Sequence, residues 1–334
     1  MAESTARITE RARHSLKFFE DSKRGIDGQL EFFEAEIVPA HQKEFFGNTW
    51  LKSAEALETD LGIFRYHGAP VLTTHSATYS MGLEPGSMFS PQDRLLMQDF
   101  GKEFWHYLVS IYSGPPTGIP DFMNSLDVEE FDLSDPEDLR SAEYYAKIFN
   151  GAATPGINAL LVTFMVSLNF VDTVLVADQN RETLNYSIVK MRFVTLYQIL
   201  RSLDLLRRER NAELTEDSTT FIDALLSSES AAYLTSEAGK RLRNTLVHYG
   251  PDSRIDVSSV DPGNLIDSYV TQLFPNSSTQ EFLSTLSTGI TETREALFEW
   301  EGTQGKRQDM ESFEFIARVV ELLEDEENSE GDAV

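Results

Sequence analysis

The sequence predicts an all-α protein: a helical bundle in the C-terminal half, preceded by a mostly helical module. Three observations predict this. Apolar residues recur at helical spacing over most of the chain. Serine–proline start signals and glycine–proline stop signals bracket several of those segments. One further stretch, Ala159 to Ala177, is apolar almost throughout, as expected of a helix with no solvent face.

Taken in order, residues 4–24 and 41–60 alternate apolar and charged faces at helical period. Residues 61–90 carry Gly62, Gly68, Pro70, Gly82, Pro85 and Gly86, so they read as loop with room for one short hairpin. Ser90-Pro91 opens a helix to about Tyr112, which Ser113-Gly114-Pro115-Pro116 stops. After a loop over 117–134, Ser134-Asp135-Pro136-Glu137 reads as the cap of a helix ending near Asn150. Helices follow at about 155–177 and 183–210, joined by a turn short enough for an antiparallel pair. The second carries one stripe of Val189, Phe193, Leu196, Leu200, Leu203 and Leu206. Further helices are expected near 218–227, 236–249, 263–274, 278–299 and 308–324, before an acidic tail. No repeat recurs at a fixed period. The chain thus divides into a module of unstated role (1–150), a helical domain (151–300), and a last helix with its tail (301–334).

Composition narrows the function. Apolar residues make up 41% of 334, enough for a sizeable core. The absence of cysteine removes disulfides, thiolate metal sites and cysteine nucleophiles. A formal charge of −27 repels phosphates, which disfavours general electrostatic binding to nucleic acid or anionic membrane. With 9 Lys against 19 Arg, this acidic balance resembles that of cytoplasmic proteins from salt-loving archaea, in which screening at high salt tames self-repulsion. An acidic protein of an ordinary cytoplasm is the alternative. The N-terminus is charged from the start and lacks the apolar core of a signal peptide. Asn169 and Asp172 inside the long apolar stretch would be costly in lipid, so that stretch reads as a buried central helix.

One segment carries chemistry: Lys240-Arg241-Leu242-Arg243-Asn244-Thr245-Leu246-Val247-His248-Tyr249-Gly250. Its Arg-Asn-x-x-x-His pattern arises by chance roughly 0.01 times in a chain of this composition. On a helical wheel Leu242, Leu246 and Tyr249 form the core stripe, and Arg243, Asn244, Val247 and His248 fall opposite. Asn244 and His248 are an i,i+4 pair. An apolar Val247 among them suggests a surface covered by a partner. His248 lies in the last turn, where the helix dipole favours its protonated form.

These residues resemble the signature of the HEPN superfamily, all-helical domains that include metal-independent ribonucleases and nucleotide-binding modules of toxin–antitoxin and antiviral systems. The resemblance spans residues 151–300, and its specific part is Arg243, Asn244 and His248. It implies catalytic roles for Arg243 and His248, RNA contact by Asn244 and Arg241, and a homodimer whose two motifs form one cleft. It also implies no metal and no cofactor, and leaves room for an antitoxin or regulatory partner. HEPN enzymes often add a polar residue from an earlier helix, for which Gln198 and Asp204 are candidates. Tyr249 directly follows the histidine, unlike the subgroup with tyrosine two residues on, which argues against membership there.

The chemistry stands without the family. RNA carries its own nucleophile in the 2′-hydroxyl, so cleavage needs a proton-transfer group and a cation for the phosphoryl oxygens. Histidine suits the first task and arginine the second. Residues 181–249 hold ten Lys+Arg against nine Asp+Glu, a net +1 where the rest of the chain carries −28. That local sparing suits a phosphate-facing surface. Arg207, Arg208 and Arg210 also simply complement a helix C-terminus. Asp99-Phe100-Gly101 has no kinase context, His67, His75 and Asp60 match no standard metal spacing, and His106 reads as aromatic packing. The leading expectation is an endoribonuclease in defence or a toxin system. A non-catalytic HEPN-like scaffold binding RNA, a nucleotide or a protein comes second, and a plain helical interaction protein third.

Overall fold

The computed structural model describes residues 25–47, 58–81, 95, 131–149, 154–176, 186–248 and 251–301, with backbone alone for Met81, 131–136 and His248. The readings made over 4–24, 90–112 and 308–324 lie wholly or almost wholly outside those residues.

The described chain is mostly helical, with one small sheet. Helix α1 (Gly25–Glu31) runs through a π-helical turn (Phe32–Ile37) into α2 (Val38–Phe45). Pro39 stands in the first turn of α2. A proline ring crowds the carbonyl four residues back, and a widened turn relieves that clash.

The hairpin expected within 61–90 is present. Strands β1 (Leu61–Tyr66) and β2 (Ala69–Thr73) pair antiparallel across His67 and Gly68. Both turn residues have positive φ, 47° and 78°, as a two-residue turn that follows the strand twist demands. Helix α3 (Thr74–Met81) follows at once, where the sequence suggested loop. Strand β3 (Phe131–Leu139) pairs with the other edge of β1, giving the order β2-β1-β3.

The helical character expected of the chain is present, with a small three-stranded sheet added to it, and the helix cap at 134–137 is corrected to strand. Serine, aspartate and proline serve both roles. Pro136 falls at the irregularity opposite Ile63 and Arg65, on an edge strand, where a missing N–H costs no ladder bond. The helix begins instead as α4 (Ser141–Lys147). Its first amide is capped from far away: Ser141 N–H donates to Asp60 Oδ1 at 2.7 Å and its hydroxyl to Oδ2 at 2.5 Å.

Helix α5 (Pro155–Asn169), extended by a π-helical turn (Phe170–Val174), is the axis of the core. Thr154 caps it, accepting from Ile157 N–H, and Pro155 takes the first position. The span Pro155–Val174 is long and apolar enough to cross a membrane, with mean hydropathy 1.6, yet 83% of it is buried within the protein. The α1–π turn, β2, α3, α4 and α6 (Tyr186–Glu209) all pack on it. Beyond α6 come α7 (Glu216–Leu226), α8 (Glu229–Leu234), α9 (Glu237–His248), α10 (Leu265–Leu273) and α11 (279–301). One continuous core joins Ile26, Phe33 and Phe149 to Leu161, Phe193, Leu242 and Trp300, so the sequence-based boundary at 150 falls inside a shared interior.

The polar residues of α5 are met by specific partners. Asn169 donates to the Pro70 carbonyl at 2.8 Å and accepts from Arg294 Nε at 2.8 Å. Asp172, 1% exposed, pairs with fully buried Arg192 at 3.1 Å and with Arg294. Removing one member of such a group leaves charge buried without compensation. Asp172→Asn is expected to lower stability by roughly 3–5 kcal/mol in denaturant unfolding. A loss within about 0.5 kcal/mol would show that the group contributes nothing to the fold.

Candidate functional site

The motif lies on α9. Gly239 opens it where the chain turns tightly out of α8: a Cβ there would lie 1.8 Å from the Leu234 carbonyl oxygen. Only glycine permits that approach. Ser236 Oγ accepts from Gly239 N–H at 3.3 Å and so caps the first turn.

Leu242 and Leu246 are buried, as the wheel predicts. Arg243 is buried too, with 4% of its surface exposed, and Val247 packs against the main core. This corrects the expectation that both stand off the core face. The wheel assumed one neighbour, whereas α9 is flanked by α6, α8 and α10, and its buried arc widens accordingly. The case for a partner-covered surface at Val247 lapses with it.

Burial forces Arg243 to find acceptors. Its Nη1 donates to Asn244 Oδ1 at 2.9 Å. From α6, the Gln198 amide oxygen accepts from Nη2 at 2.7 Å and from Nε at 2.9 Å, the amide orientation that satisfies both sides. Gln198 is itself fully buried. The structure thus brings together Arg243, Asn244 and one of the two polar candidates from the preceding helix. The other, Asp204, pairs instead with Arg201 at 3.0 Å and Arg208 at 3.3 Å.

Arg241, at 14% side-chain exposure, bridges to Glu237 one turn back at 3.0 Å. Thr245, which the sequence reading passed over, ties α9 to the next loop. Its hydroxyl donates to the Arg241 carbonyl at 3.0 Å and accepts from Asp252 N–H at 3.2 Å. His248 ends the helix; its side chain and Tyr249 lie outside the described residues.

The locally neutral charge of 181–249 has a structural account. Arg207 forks onto Asp223 at 2.9 and 3.1 Å. Arg210 reaches Asp27 at 3.0 Å, and Arg201, Arg208 and Arg241 pair as above. These cations meet carboxylates on their own helix or on a neighbouring one, which weakens the inference from charge sparing to a phosphate-facing surface.

A second polar cluster, of which the sequence reading weighed only His75 and Asp60 and only as metal ligands, sits behind α4. His41 on α2 and His75 on α3 meet edge to face, with ring centroids 4.4 Å apart, and both are fully buried. His75 Nδ1 bonds the Tyr145 hydroxyl at 3.0 Å and Nε2 takes the Asp60 carbonyl at 3.1 Å. His41 Nε2 donates to Thr78 Oγ1 at 2.9 Å, since that hydroxyl already donates to the Thr74 carbonyl. With both His75 nitrogens engaged and the Asp60 carboxylate held by Ser141, neither is free to ligate a metal. His67 stands apart in the hairpin turn, against Tyr66. Among the described residues no cluster of three His, Asp or Glu could hold a metal ion. The run Asp60 to Ser76 carries one carboxylate and two histidines, but nothing in it points to His41, which stands on another element.

No family model, curated protein or solved structure matches this chain.

Two outcomes are expected. Arg243→Lys removes the planar fork that Gln198 and Asn244 read. It should cost roughly 2–4 kcal/mol in chemical denaturation, against about 0.5 kcal/mol or less for an exposed side chain. A neutral result would contradict the buried network. The second outcome concerns acid. Burial holds His41 down at about 4, partly offset by Asp60, and holds His75 down at about 3, with the His41 charge adding to the effect. The unfolded chain binds these protons near pH 6.5 and the folded chain only well below that. Stability is therefore complete above about pH 6.5 and falls as pH drops toward about 4. His41→Leu should flatten this dependence by about one proton in thermal melts. Parallel curves for parent and variant would refute the assignment.

Proposed function

We propose that this protein is a metal-independent endoribonuclease of the HEPN type, acting in antiviral defence or a toxin-like system. The observation that carries the reading is the meeting of Gln198 with Arg243 and Asn244, one helical turn before His248. A polar residue from the long preceding helix, joined to the motif arginine, is the arrangement the resemblance calls for.

The roles are adjusted by burial. Arg243, inside the helix packing, acts as a positioning residue that orients Asn244, and Arg241 is the less buried cation on the same helix. His248 takes the proton of the 2′-hydroxyl as that oxygen attacks phosphorus. The bond to the 5′-oxygen breaks, and that oxygen must receive a proton. A homodimer that sets two motif helices across one cleft supplies the second imidazole as the acid. The products are a 2′,3′-cyclic phosphate and a 5′-hydroxyl, and no metal takes part in the step.

A second reading is favoured by the burial of Arg243 and the pairing of the neighbouring arginines. In it the network is structural, and the domain is a non-catalytic scaffold that binds RNA, a nucleotide or a protein.

One experiment separates the two. The purified chain is incubated with RNA in EDTA at molar KCl, beside His248→Ala, with light scattering and melting curves on both. The enzyme reading expects chelator-insensitive cleavage, cyclic-phosphate ends, and a loss of roughly 100-fold or more in a variant that keeps its melting temperature and dimeric state. Folded His248→Ala that cuts at the parental rate, or activity that requires a divalent metal, would defeat it. A parent that binds RNA without cutting it would establish the scaffold instead.

A further inference from the structure

A cavity of about 390 Å³ opens at the other end of α5, away from the motif in sequence and built from different elements. That size suits a small organic molecule. Its apolar walls come from Phe33, Val38, Pro155 and Ala159. Glu34, Ser141 and Tyr145 also line it, but the Ser141 and Tyr145 hydroxyls are turned inward to Asp60 and His75, which leaves Glu34 as its charged group.

Two features mark it as a built site. The first is rigidity. Ser141 is locked by Asp60 and Tyr145 by His75, each partner itself buried, so the α4 side of the wall is held in place by hydrogen bonds behind it. The second is Glu34. It lies in the π-helical turn, and such turns re-aim side chains and recur at functional sites. One oxygen of Glu34 accepts from Gly156 N–H at 3.1 Å. The absence of a side chain at Gly156 leaves room for that carboxylate, since a Cβ would come within 2.4 Å of the oxygen and push it aside.

The sign of the ligand follows. The amides at the start of α5 would favour an anion, but Glu34 already meets them. A whole carboxylate charge outweighs the partial charge of a helix end, so the mouth is left negative. An incoming carboxylate or phosphate would have to displace Glu34, whereas a cation pairs with it in place. The walls ask for an apolar body.

We propose that this cavity binds a small amphipathic cation, with an aryl or alkyl body between α2, α4 and α5 and an ammonium group on Glu34. The site is independent of the ribonuclease reading and stands whether or not the chain cuts RNA.

The test uses three probes of one shape on the full-length protein: 2-phenylethylamine, 2-phenylethanol and 3-phenylpropionate. Binding is followed by ligand-observed NMR and calorimetry at moderate ionic strength. The amine is expected to bind at millimolar concentration, roughly fivefold or more tightly than the alcohol, and the carboxylate more weakly than either. Glu34→Gln retains a carbonyl oxygen for Gly156 N–H but removes the charge, so it should erase the preference of amine over alcohol. Ala142→Phe, at an exposed position on the rim, should block both ligands without disturbing the core. Melting curves verify that each variant is folded. The proposal is overturned if the amine fails to bind, if the carboxylate binds best, or if folded Glu34→Gln keeps the preference.

Discussion

Helix α5 has no side that water can tolerate, and the rest of the molecule is arranged around that fact. An ordinary surface helix buries one stripe and solvates the other. Here α5 needs cover all round, and no single neighbouring helix can give it. The chain answers with heterogeneous cover: a bent N-terminal helix, a small sheet presented through β2, the short helices α3 and α4, and the long helix α6. The sheet makes sense in this light. Three short strands would not hold by themselves, but laid on an apolar helix they gain a buried face. The polar groups that α5 and its π-helical extension do carry, Asn169 and Asp172, become anchor points rather than defects. Each draws in a residue from a distant element, Pro70 from the hairpin or Arg192 and Arg294 from flanking helices.

The motif helix shows the same economy. Its arginine sits in a seam between α6 and α9, bonded to two side-chain amides that carry no charge. The planar guanidinium fork ties the two helices together at a defined geometry. Gln198 and Arg243 are therefore coupled: a change in either is felt by both helices at once.

Much of this was legible in the sequence, for reasons that differ by element. The helices at 155–177 and 183–210 stood out because one was apolar throughout and the other carried a clean stripe, and both are present as α5 and α6. The hairpin was legible from Gly68 and its neighbours. Strand β3 was not, because Ser-Asp-Pro-Glu is equally good chemistry for a helix start and for a broken edge strand, and pairing with β1 decides which. The burial of Arg243 was hidden because a wheel shows one helix without its neighbours. Gln198 could be named beforehand only as one of two polar residues on α6, and the packing of α9 chose between them. The His41–His75 contact joins residues 34 apart across separate elements, which no local period reveals.

The group around Asp172 also sets a timetable for biosynthesis. Arg294 follows Asp172 by 122 residues along the chain. At about 5–20 residues per second, a ribosome needs roughly 6–24 seconds to add them. For that interval α5 has emerged with its carboxylate but without the last cation that belongs to it, and without the helix that carries that cation. The most water-averse segment of the protein is thus made in the middle and closed over last. A nascent chain in that condition is a natural client for a chaperone that shelters apolar surface, and a truncation before α11 would leave such a client with nothing to complete it.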